Sequence, residues 1–152
     1  SGLDKVDALG QSEHWLISEQ DLKLEPDNLL GAGAFGVVVG GWLHGSPVAV
    51  KVASRNRDAS VEDIVAIAQE IRVFRHVRHP NITLFHGACV EPLQGEVLLV
   101  LERVEGPDLG SYVMEHNADA EVHGRHQLLL DVAAALRYLH GQSPQIVHGD
   151  LK

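Results

Sequence analysis

Three glycines and a lysine are the residues of this chain whose types and spacing are best suited to chemistry. Gly31, Gly33 and Gly36 have the spacing Gly-x-Gly-x-x-Gly. Lys51 comes after them at the end of the run Val-Ala-Val-Lys. Glycine lets the backbone approach phosphate oxygens closely and leaves amide N–H groups available to donate hydrogen bonds, and a lysine ammonium adds attractive positive charge. The combination indicates a site for a phosphorylated ligand.

The residues after the third glycine distinguish between two kinds of nucleotide site. A dinucleotide-binding fingerprint opens a helix directly after its glycines, with an acidic residue about 20 positions further on. Here positions 37–43 read Val-Val-Val-Gly-Gly-Trp-Leu, in which the β-branched and aromatic residues favour a strand, and a turn-rich stretch at 44–47 leads to the strand that carries Lys51. The pattern therefore predicts a glycine-containing hairpin with a lysine on the next strand. A hairpin turn that binds no ligand is a fair alternative for the glycines alone, but it does not account for Lys51.

A helix predicted within residues 60–79 offers an anionic partner for the lysine. Ser60 and Asp63 fit a capping box, apolar residues recur at helical spacing, and Pro80 ends the pattern. Glu70 lies beside the apolar stripe, where it can turn inward. A lone glutamate on a helix is more often a solvated charge, and the pattern by itself leaves both interpretations open.

The rest of the chain supplies further elements in a definite order. The pattern predicts a strand through residues 83–85, a buried apolar strand at 96–101, a break at 102–107, and helices over 109–116 and 124–140. Residues 148–152 then read His-Gly-Asp-Leu-Lys. His-Gly-Asp alone carries little information, because such tripeptides occur in ordinary loops, so its weight comes from its place in this order.

This order of motifs resembles a protein kinase domain, in which a helix glutamate holds the strand lysine and an aspartate lies further along in the catalytic loop. Two longer stretches resemble the tyrosine-kinase-like group of serine/threonine kinases, which includes Raf-type and mixed-lineage kinases. They are Gly-Ser-Pro-Val-Ala-Val-Lys at 45–51 and His-Pro-Asn-Ile-Thr-Leu-Phe-His-Gly-Ala-Cys at 79–89. Lys152, two places after Asp150, is the choice that resembles serine/threonine kinases.

The resemblance implies an α+β fold. We expect a kinase-like small lobe, a twisted antiparallel sheet with one main helix, and after it the first helices of a truncated helical large lobe. The first residues are polar, acidic and aperiodic, so residues 1–14 are predicted to form a mobile leader. On this alignment residues 15–101 are the small lobe, 102–107 the hinge, and 108–152 the start of the large lobe, ending in the catalytic loop.

The resemblance also implies roles for individual residues. ATP with magnesium is the expected nucleotide, and a protein hydroxyl is the expected acceptor. The catalytic residues would be Asp150, which orients the hydroxyl or accepts its proton, together with Lys51 and Lys152. Leu101 would be the gatekeeper behind the adenine. The residues expected to form the nucleotide site are Leu30, Gly31, Ala32, Gly33, Ala34, Phe35, Gly36, Val38, Ala49, Lys51, Glu70, Leu101, Glu102 and Val104.

Two departures from the family pattern matter. Gly149 stands where many kinases have an arginine that pairs with a phosphorylated activation loop, so that switch is expected to be missing. The chain stops at Lys152, before the asparagine and the Asp-Phe-Gly segment that hold magnesium in kinases, so no metal ligand is predicted within it. We expect a fragment of a serine/threonine kinase with no turnover of its own. The alternative is a pseudokinase-like module that binds nucleotide or acts as a scaffold.

The composition further limits the kinds of protein and of partner that fit this sequence. The 152 residues are 45% hydrophobic, enough for one sizeable core, and the formal charge of −9 argues against nucleic acid or an anionic membrane as partner. The sequence contains neither a membrane-spanning apolar run nor a signal-peptide pattern. A single cysteine, Cys89, fits a reducing cytoplasmic compartment. The pairs His76/His79 and His123/His126 have metal-like spacing, but no second cysteine or nearby carboxylate completes a tetrahedral set.

Overall fold

The structure is a computed structural model that describes residues 2–33, 36–54, 61–91, 96–115, 122–149 and 151. The chain divides into two compact units, residues 1–76 with 83–103 and residues 77–82 with 104–152. A short 3₁₀ turn at Glu19–Asp21 precedes the sheet. The helices and strands are α1 (Gly2–Ser12), β1 (Leu22–Gly33), β2 (Gly36–Leu43), β3 (Ser46–Ser54), α2 (Val61–Phe74), β4 (Phe85–Glu91), β5 (Glu96–Glu102), α3 (Leu109–Glu115) and α4 (Val122–His140).

A five-stranded sheet forms the framework of the first unit. Its strand order is β1-β2-β3-β5-β4, and each neighbouring pair is antiparallel. The predicted hairpin between β2 and β3 turns at His44 and Gly45, whose φ angles of 49° and 84° are both positive. Two-residue hairpins of the common type need positive φ at both positions so that the turn matches the twist of the strands. The sheet and its helices confirm the predicted α+β fold class.

Alternate residues of the central strands belong to two separate cores. Val97 and Leu99 of β5 pack in the core that includes Trp15 and helix α2, whereas Leu98 and Val100 pack in the core that includes β2 and β3. Successive side chains of a strand point to opposite faces of the sheet. Because both faces of β5 are covered, its sequence is apolar on both faces, which is why the run at 96–101 carries no alternation.

Helix α2 packs on the sheet through Ile67 and Ile71, which are buried. The helix ends at Phe74, earlier than the proline at position 80 would require. His76 lies just beyond this end, with Nδ1 2.8 Å from the carbonyl oxygen of Arg72, so the imidazole satisfies a carbonyl of the last turn. Ser60 lies outside the described residues, and the capping box stays a prediction.

The segment predicted to be a mobile leader, residues 1–14, contains helix α1. Beyond helix α1 lies Trp15, which is buried at 5% exposure against Ile67 and Ile71. A Cβ on Gly10 would lie 2.9 Å from Trp15 Cζ3, so glycine at this position lets the indole approach the helix. The apolar contact with the tryptophan gives this segment a tertiary partner that its polar composition does not reveal.

The second unit contains α3 and α4. Helix α4 begins at Val122, two residues before the predicted start, and buries Ala135 and Leu139, while Leu128 and Val132 are exposed. Tyr138 anchors the segment 77–82, because its hydroxyl accepts a hydrogen bond from the backbone N–H of Arg78 at 2.9 Å. In the described part of the chain, every helix is too short or too polar to cross a bilayer.

Candidate nucleotide site

Four residues pair in register across the sheet and place the predicted lysine on the same face as the first predicted glycine. Gly31 of β1 pairs with Val38 of β2, Val38 with Lys51 of β3, and Lys51 with Leu99 of β5. Directly opposed residues of antiparallel strands share one face of the sheet. Since neighbouring strands lie about 4.8 Å apart, Gly31 is about 10 Å from Lys51 along this row. The hairpin and the strand lysine therefore form one continuous surface.

Lys51 is held on this surface by Glu70 of α2. The Lys51 Nζ and Glu70 Oε1 atoms are 2.5 Å apart, and the two side chains are 20% and 32% exposed. This is the ion pair that the resemblance to kinases implies, and it resolves the two interpretations of Glu70 in favour of the inward one. An ammonium has three N–H donors, so pairing with one carboxylate oxygen leaves capacity for a phosphate oxygen. The arrangement can present a fixed positive charge to an anion.

The packing of α2 explains why Glu70 faces the sheet. Ile67 lies one helical turn before Glu70 and Ile71 directly after it, and both are buried in the core on that side of the sheet. Residues three and four apart share one face of a helix. Burial of these two isoleucines therefore turns Glu70 toward β3, which the spacing allowed and the resemblance to kinases implied.

The described part of the glycine hairpin is continuous with the sheet. Gly33 pairs with Gly36 and Ala32 with Val37. Gly36 has φ +110°, and a Cβ there would lie 2.7 Å from the carbonyl oxygen of Val52, so only glycine fits without strain. At Gly31 a Cβ would meet none of the described atoms within 4 Å, so the backbone there is open to a ligand. Ala34 and Phe35 lie outside the described residues.

Small and apolar residues adjoin the lysine on the neighbouring row. Gly40 pairs with Ala49, and Ala49 pairs with Leu101, so this second row runs beside the row that contains Lys51. Ala49 and Leu101 are half-buried, and Leu30 is exposed. An apolar surface beside a fixed cation has the character required by an aromatic base joined to phosphates.

The end of β5 shows which backbone groups are already engaged. The N–H of Glu102 donates to the carbonyl oxygen of Leu84 at 2.8 Å, and the carboxylate of Glu102 accepts from the N–H of Leu84 at 3.1 Å. These bonds precede β4, which begins at Phe85 and not at the predicted residue 83. Of the backbone groups of Glu102, the carbonyl is therefore the one to consider for a ligand. Val104 belongs to the second unit and is 71% exposed.

The predicted catalytic segment lies at the end of the second unit. Asp150 and Lys152 lie outside the described residues, so their roles stay predictions. Gly149 has φ +75°, a conformation that residues with a side chain rarely adopt. This backbone explains why glycine suits the position at which many kinases have arginine.

Sequence reasoning missed the contacts that join α2 to the N-terminal segment. Trp15 donates from Nε1 to Glu13 Oε2 at 3.0 Å, and Glu13 forms an ion pair with Arg75, which lies just beyond α2. The indole hydrogen bond, and after it the bond and charge of Arg75, lower the pKa of Glu13. Trp15 and Ile17 also exchange backbone hydrogen bonds with Ala88 of β4, at 3.0 and 2.8 Å. The sequence did contain one signal for these contacts, because Trp15 begins a run of three apolar residues, Trp-Leu-Ile at 15–17, directly after a polar stretch.

A metal site requires several suitable donor side chains in one place. The described residues contain no group of three or more His, Cys, Asp or Glu side chains that could hold a metal ion. These residues do not by themselves fit a magnesium site, and no role in holding magnesium is assigned to them.

Comparison with known proteins places this surface in a family. Residues 24–152 match the family described as protein tyrosine and serine/threonine kinase. The chain is 36% identical over 125 residues to serine/threonine-protein kinase CTR1 of Arabidopsis thaliana, with 81% of this chain and 15% of that protein covered. It is 32% identical over 131 residues to dual specificity protein kinase splA of Dictyostelium discoideum, covering 85% of this chain and 5% of that protein.

A third relative, serine/threonine-protein kinase VIK of Arabidopsis thaliana, is 33% identical over 140 residues and covers 91% of this chain. The chain spans 5% to 31% of the lengths of these three relatives. The match covers the glycine hairpin, Lys51, Glu70 and all later residues, and kinases of this family use ATP and magnesium. The chain therefore belongs to the protein kinase family, in its tyrosine-kinase-like group.

Proposed function

We propose that this chain is the ATP-binding part of a serine/threonine protein kinase whose parent transfers the γ-phosphoryl group of ATP to protein hydroxyls. The observation that carries the proposal is the ion pair between Lys51 and Glu70, placed in register with Gly31 on one face of the sheet. Phosphoryl transfer depends mainly on positioning and on stabilising charge. A fixed ammonium beside open glycine backbone supplies both for the phosphates.

In this proposal the phosphates bind across the first row of the sheet face. Lys51 donates to oxygens of the α- and β-phosphates, and Glu70 keeps its ammonium in place. The loop at residues 31–36 covers the phosphates, with N–H groups of its glycines as donors. Phe35 at the tip would exclude water from them.

The adenine would lie against the second row. Val38, Ala49 and Leu101 would supply apolar contacts, since Ala49 and Leu101 lie in the row Gly40–Ala49–Leu101 and Val38 lies in the row beside it. Leu30 is a further predicted contact. The carbonyl of Glu102 would accept from the adenine amino group, because the N–H of Glu102 is engaged by Leu84. The backbone of Val104 is the second predicted partner of the adenine edge.

Catalysis in the parent would require residues near the end of this chain. Asp150 would orient the acceptor hydroxyl or accept its proton, with Lys152 beside the transferred group. We also propose that the substrates of the parent are proteins and that its location is cytoplasmic. Neither a nucleic acid nor a membrane is proposed as a partner, because the formal charge is −9.

A binding experiment tests the nucleotide part of this proposal. Isothermal titration calorimetry of the purified chain with ATP should show saturable binding, and Lys51→Met should weaken it on the order of tenfold or more, since a charge-assisted contact to phosphate is lost. Lys23→Met removes an exposed lysine of β1 and is the matched control, expected to bind like the wild type. A folded wild-type chain that does not bind ATP, or a Lys51→Met variant that binds equally well, would contradict the proposal.

A transfer experiment distinguishes a kinase from a pseudokinase-like module. The transcript should be sequenced beyond Lys152, and the resulting protein assayed with radiolabelled ATP against peptides containing serine, threonine or tyrosine. Label on serine or threonine that is lost in Asp150→Asn supports the kinase. Binding of ATP without transfer would instead favour a nucleotide-binding or scaffold module.

A further inference from the structure

Strand β1 contains a bulge before its glycines. Glu25 pairs with Gly40 and Leu29 with Val39, so residues 26–28 are inserted between two pairs whose β2 members are consecutive. Extra residues in one strand disrupt the ladder locally and leave the regular alternation of side chains. The periodicity of the strand therefore does not decide where the side chains of the inserted residues lie, and their contacts must be read from the structure.

The side chain of Asn28, the last inserted residue, lies over Gly40. Gly40 is directly opposite Ala49, which is two residues from Lys51 on β3, so a Cβ on Gly40 would point to the face that carries the lysine. That Cβ would lie 2.5 Å from Asn28 Nδ2 and 3.2 Å from Glu25 Oε2. The amide of Asn28 and the carboxylate of Glu25 therefore occupy the space beside Ala49 on this face, and glycine at position 40 leaves room for them.

Two hydrogen bonds fix the orientation of this amide. Asn28 Nδ2 donates to Glu25 Oε2, and Trp42 Nε1 donates to Glu25 Oε1, both at 2.8 Å. The bond from Asn28, and after it that from Trp42, lower the pKa of Glu25, which is therefore ionised at neutral pH. Because an ionised carboxylate only accepts, the nitrogen of the Asn28 amide faces it and the carbonyl Oδ1 points away. Among the residues that the structure describes, none donates a hydrogen bond to Oδ1, so this acceptor is available to a ligand.

The nucleotide placed on this face would have its sugar at the end of the second row where Asn28 lies. Leu101 and Gly40 are separated by two strand spacings, about 10 Å. A base that lies along this row with its amino group at the carbonyl of Glu102, directly after Leu101, covers Ala49 and turns its opposite edge toward Gly40. That opposite edge of adenine bears the sugar. A ribose has two hydroxyl groups that can donate hydrogen bonds, and the free carbonyl of Asn28 is the matching acceptor.

We propose that Asn28 binds the ribose of the nucleotide: its Oδ1 accepts a hydrogen bond from a sugar hydroxyl, and Glu25 holds the amide so that this oxygen is presented. Because Glu25 already restrains the side chain, little conformational freedom is lost when the sugar binds. The inference rests on the proposed function, since it names the residue that distinguishes ribonucleotides from deoxyribonucleotides at the same site. The contact is with the sugar and not with the phosphates.

Deoxy analogues of ATP test this contact. Calorimetry on the whole chain should show that the wild type binds ATP about three- to tenfold more tightly than whichever of 2′-deoxyATP and 3′-deoxyATP lacks the contacted hydroxyl. In Asn28→Ala this ratio should fall to about one, because the acceptor is missing for both ligands. Glu25→Leu removes the group that orients the amide and should lower the ratio by less. Asp27→Asn, in the same bulge, is the matched control and should keep the wild-type ratio.

The outcomes separate this inference from the function on which it rests. If Asn28→Ala weakens ATP and both analogues by the same factor, the role of Asn28 is structural and the inference is overturned. A wild type that binds ATP and both analogues equally well also overturns it, without affecting the proposed function. If Asn28→Ala does not fold, Asn28→Ser, which keeps a short polar side chain in the bulge, decides by the same ratio. A folded wild-type chain that binds none of the three nucleotides overturns the proposed function itself.

Discussion

Lys51 and Glu70 join the central strand of the sheet to its main helix through atoms 2.5 Å apart. Both side chains are half-buried, so the pair is partly shielded from water and its Coulomb attraction is stronger than that of an exposed pair. The same shielding makes either charge costly without the other. The position of α2 and the availability of the lysine are therefore linked.

The first prediction concerns this linkage. In a double-mutant cycle of Lys51→Met and Glu70→Gln, urea unfolding should give a coupling free energy of about 1 kcal/mol, because each single variant leaves a half-buried charge unpaired. The cycle of Lys23→Met with Glu70→Gln is the control and should be additive. Additivity in the first cycle would mean that the contact contributes nothing to folding.

The second prediction concerns the glycines of the hairpin. Gly36→Ala should lower the free energy of unfolding by about 1–3 kcal/mol, because the residue has positive φ and its new methyl group would press on the carbonyl of Val52. Gly31→Ala places its methyl group in open space and should change stability by no more than about 0.5 kcal/mol. Thermal or urea unfolding of both variants is the measurement. Equal losses would show that the conformation at Gly36 is not the cause.

The third prediction concerns Trp15. Trp15→Ala should destabilise the small lobe by about 3–5 kcal/mol, because a buried indole is removed from between the N-terminal segment and α2. Trp42→Ala is the matched comparison and should cost less, since Trp42 is exposed on β2. Urea unfolding monitored by circular dichroism measures both. A larger loss for Trp42 would contradict the assignment of Trp15 to the core.

The fourth prediction concerns acid. The pKa of Glu13 in the folded chain lies below its ordinary value of 4.5, first because of the Trp15 indole and then because of Arg75. A carboxyl group whose pKa is lower in the folded than in the unfolded chain stabilises the fold at pH values above its unfolded pKa. That stabilisation is lost as the pH falls through its folded pKa. Unfolding free energy should therefore be flat near neutral pH and fall below about pH 4.5.

Two variants isolate the part of this acid loss that belongs to Glu13. Glu13→Gln removes the titrating group, and Trp15→Phe removes the largest cause of the shift while keeping an aromatic ring. Each should make the loss of stability below pH 4.5 shallower than in the wild type. Glu25 and Asp108 also have lowered pKa values and contribute in the same direction, so the difference between variants is the measure. Identical slopes would exclude Glu13 as a source.

Much of the candidate site could be predicted because it depends on local patterns. The glycine hairpin, the strand that carries Lys51 and the apolar face of α2 are each encoded in a short continuous stretch of sequence. The periodicity of the side chains then indicates which face of the strand or helix each residue occupies. Spacing therefore placed Glu70 beside the apolar stripe of α2, and the resemblance to kinases then favoured the inward orientation. The apolar run at 96–101 likewise identified the buried strand, because a strand covered on both faces needs no polar residues.

The features that escaped prediction join residues distant in the chain or depend on backbone geometry. Trp15 meets Ile67 and Ala88, and Glu25 meets Trp42, across separations at which no periodicity operates. Helix α2 ends at Phe74, where the imidazole of His76 meets the carbonyl of Arg72. Residues 2–12 look irregular by composition, yet they form a helix next to a buried tryptophan.

The sequence by itself determined the family and the order of the main strands and helices, because both depend on residue types at short, regular spacing. The pairing of Lys51 with Glu70 followed from the resemblance to that family. The tertiary structure alone decided the register of β1. Neither residues 26–28 nor Leu30 have a periodic signature that shows which residues leave the ladder, and β1 shifts register twice, between Glu25 and Leu29 and between Leu29 and Gly31. Because strand side chains alternate faces, the two shifts together leave the glycines on the face that carries the lysine.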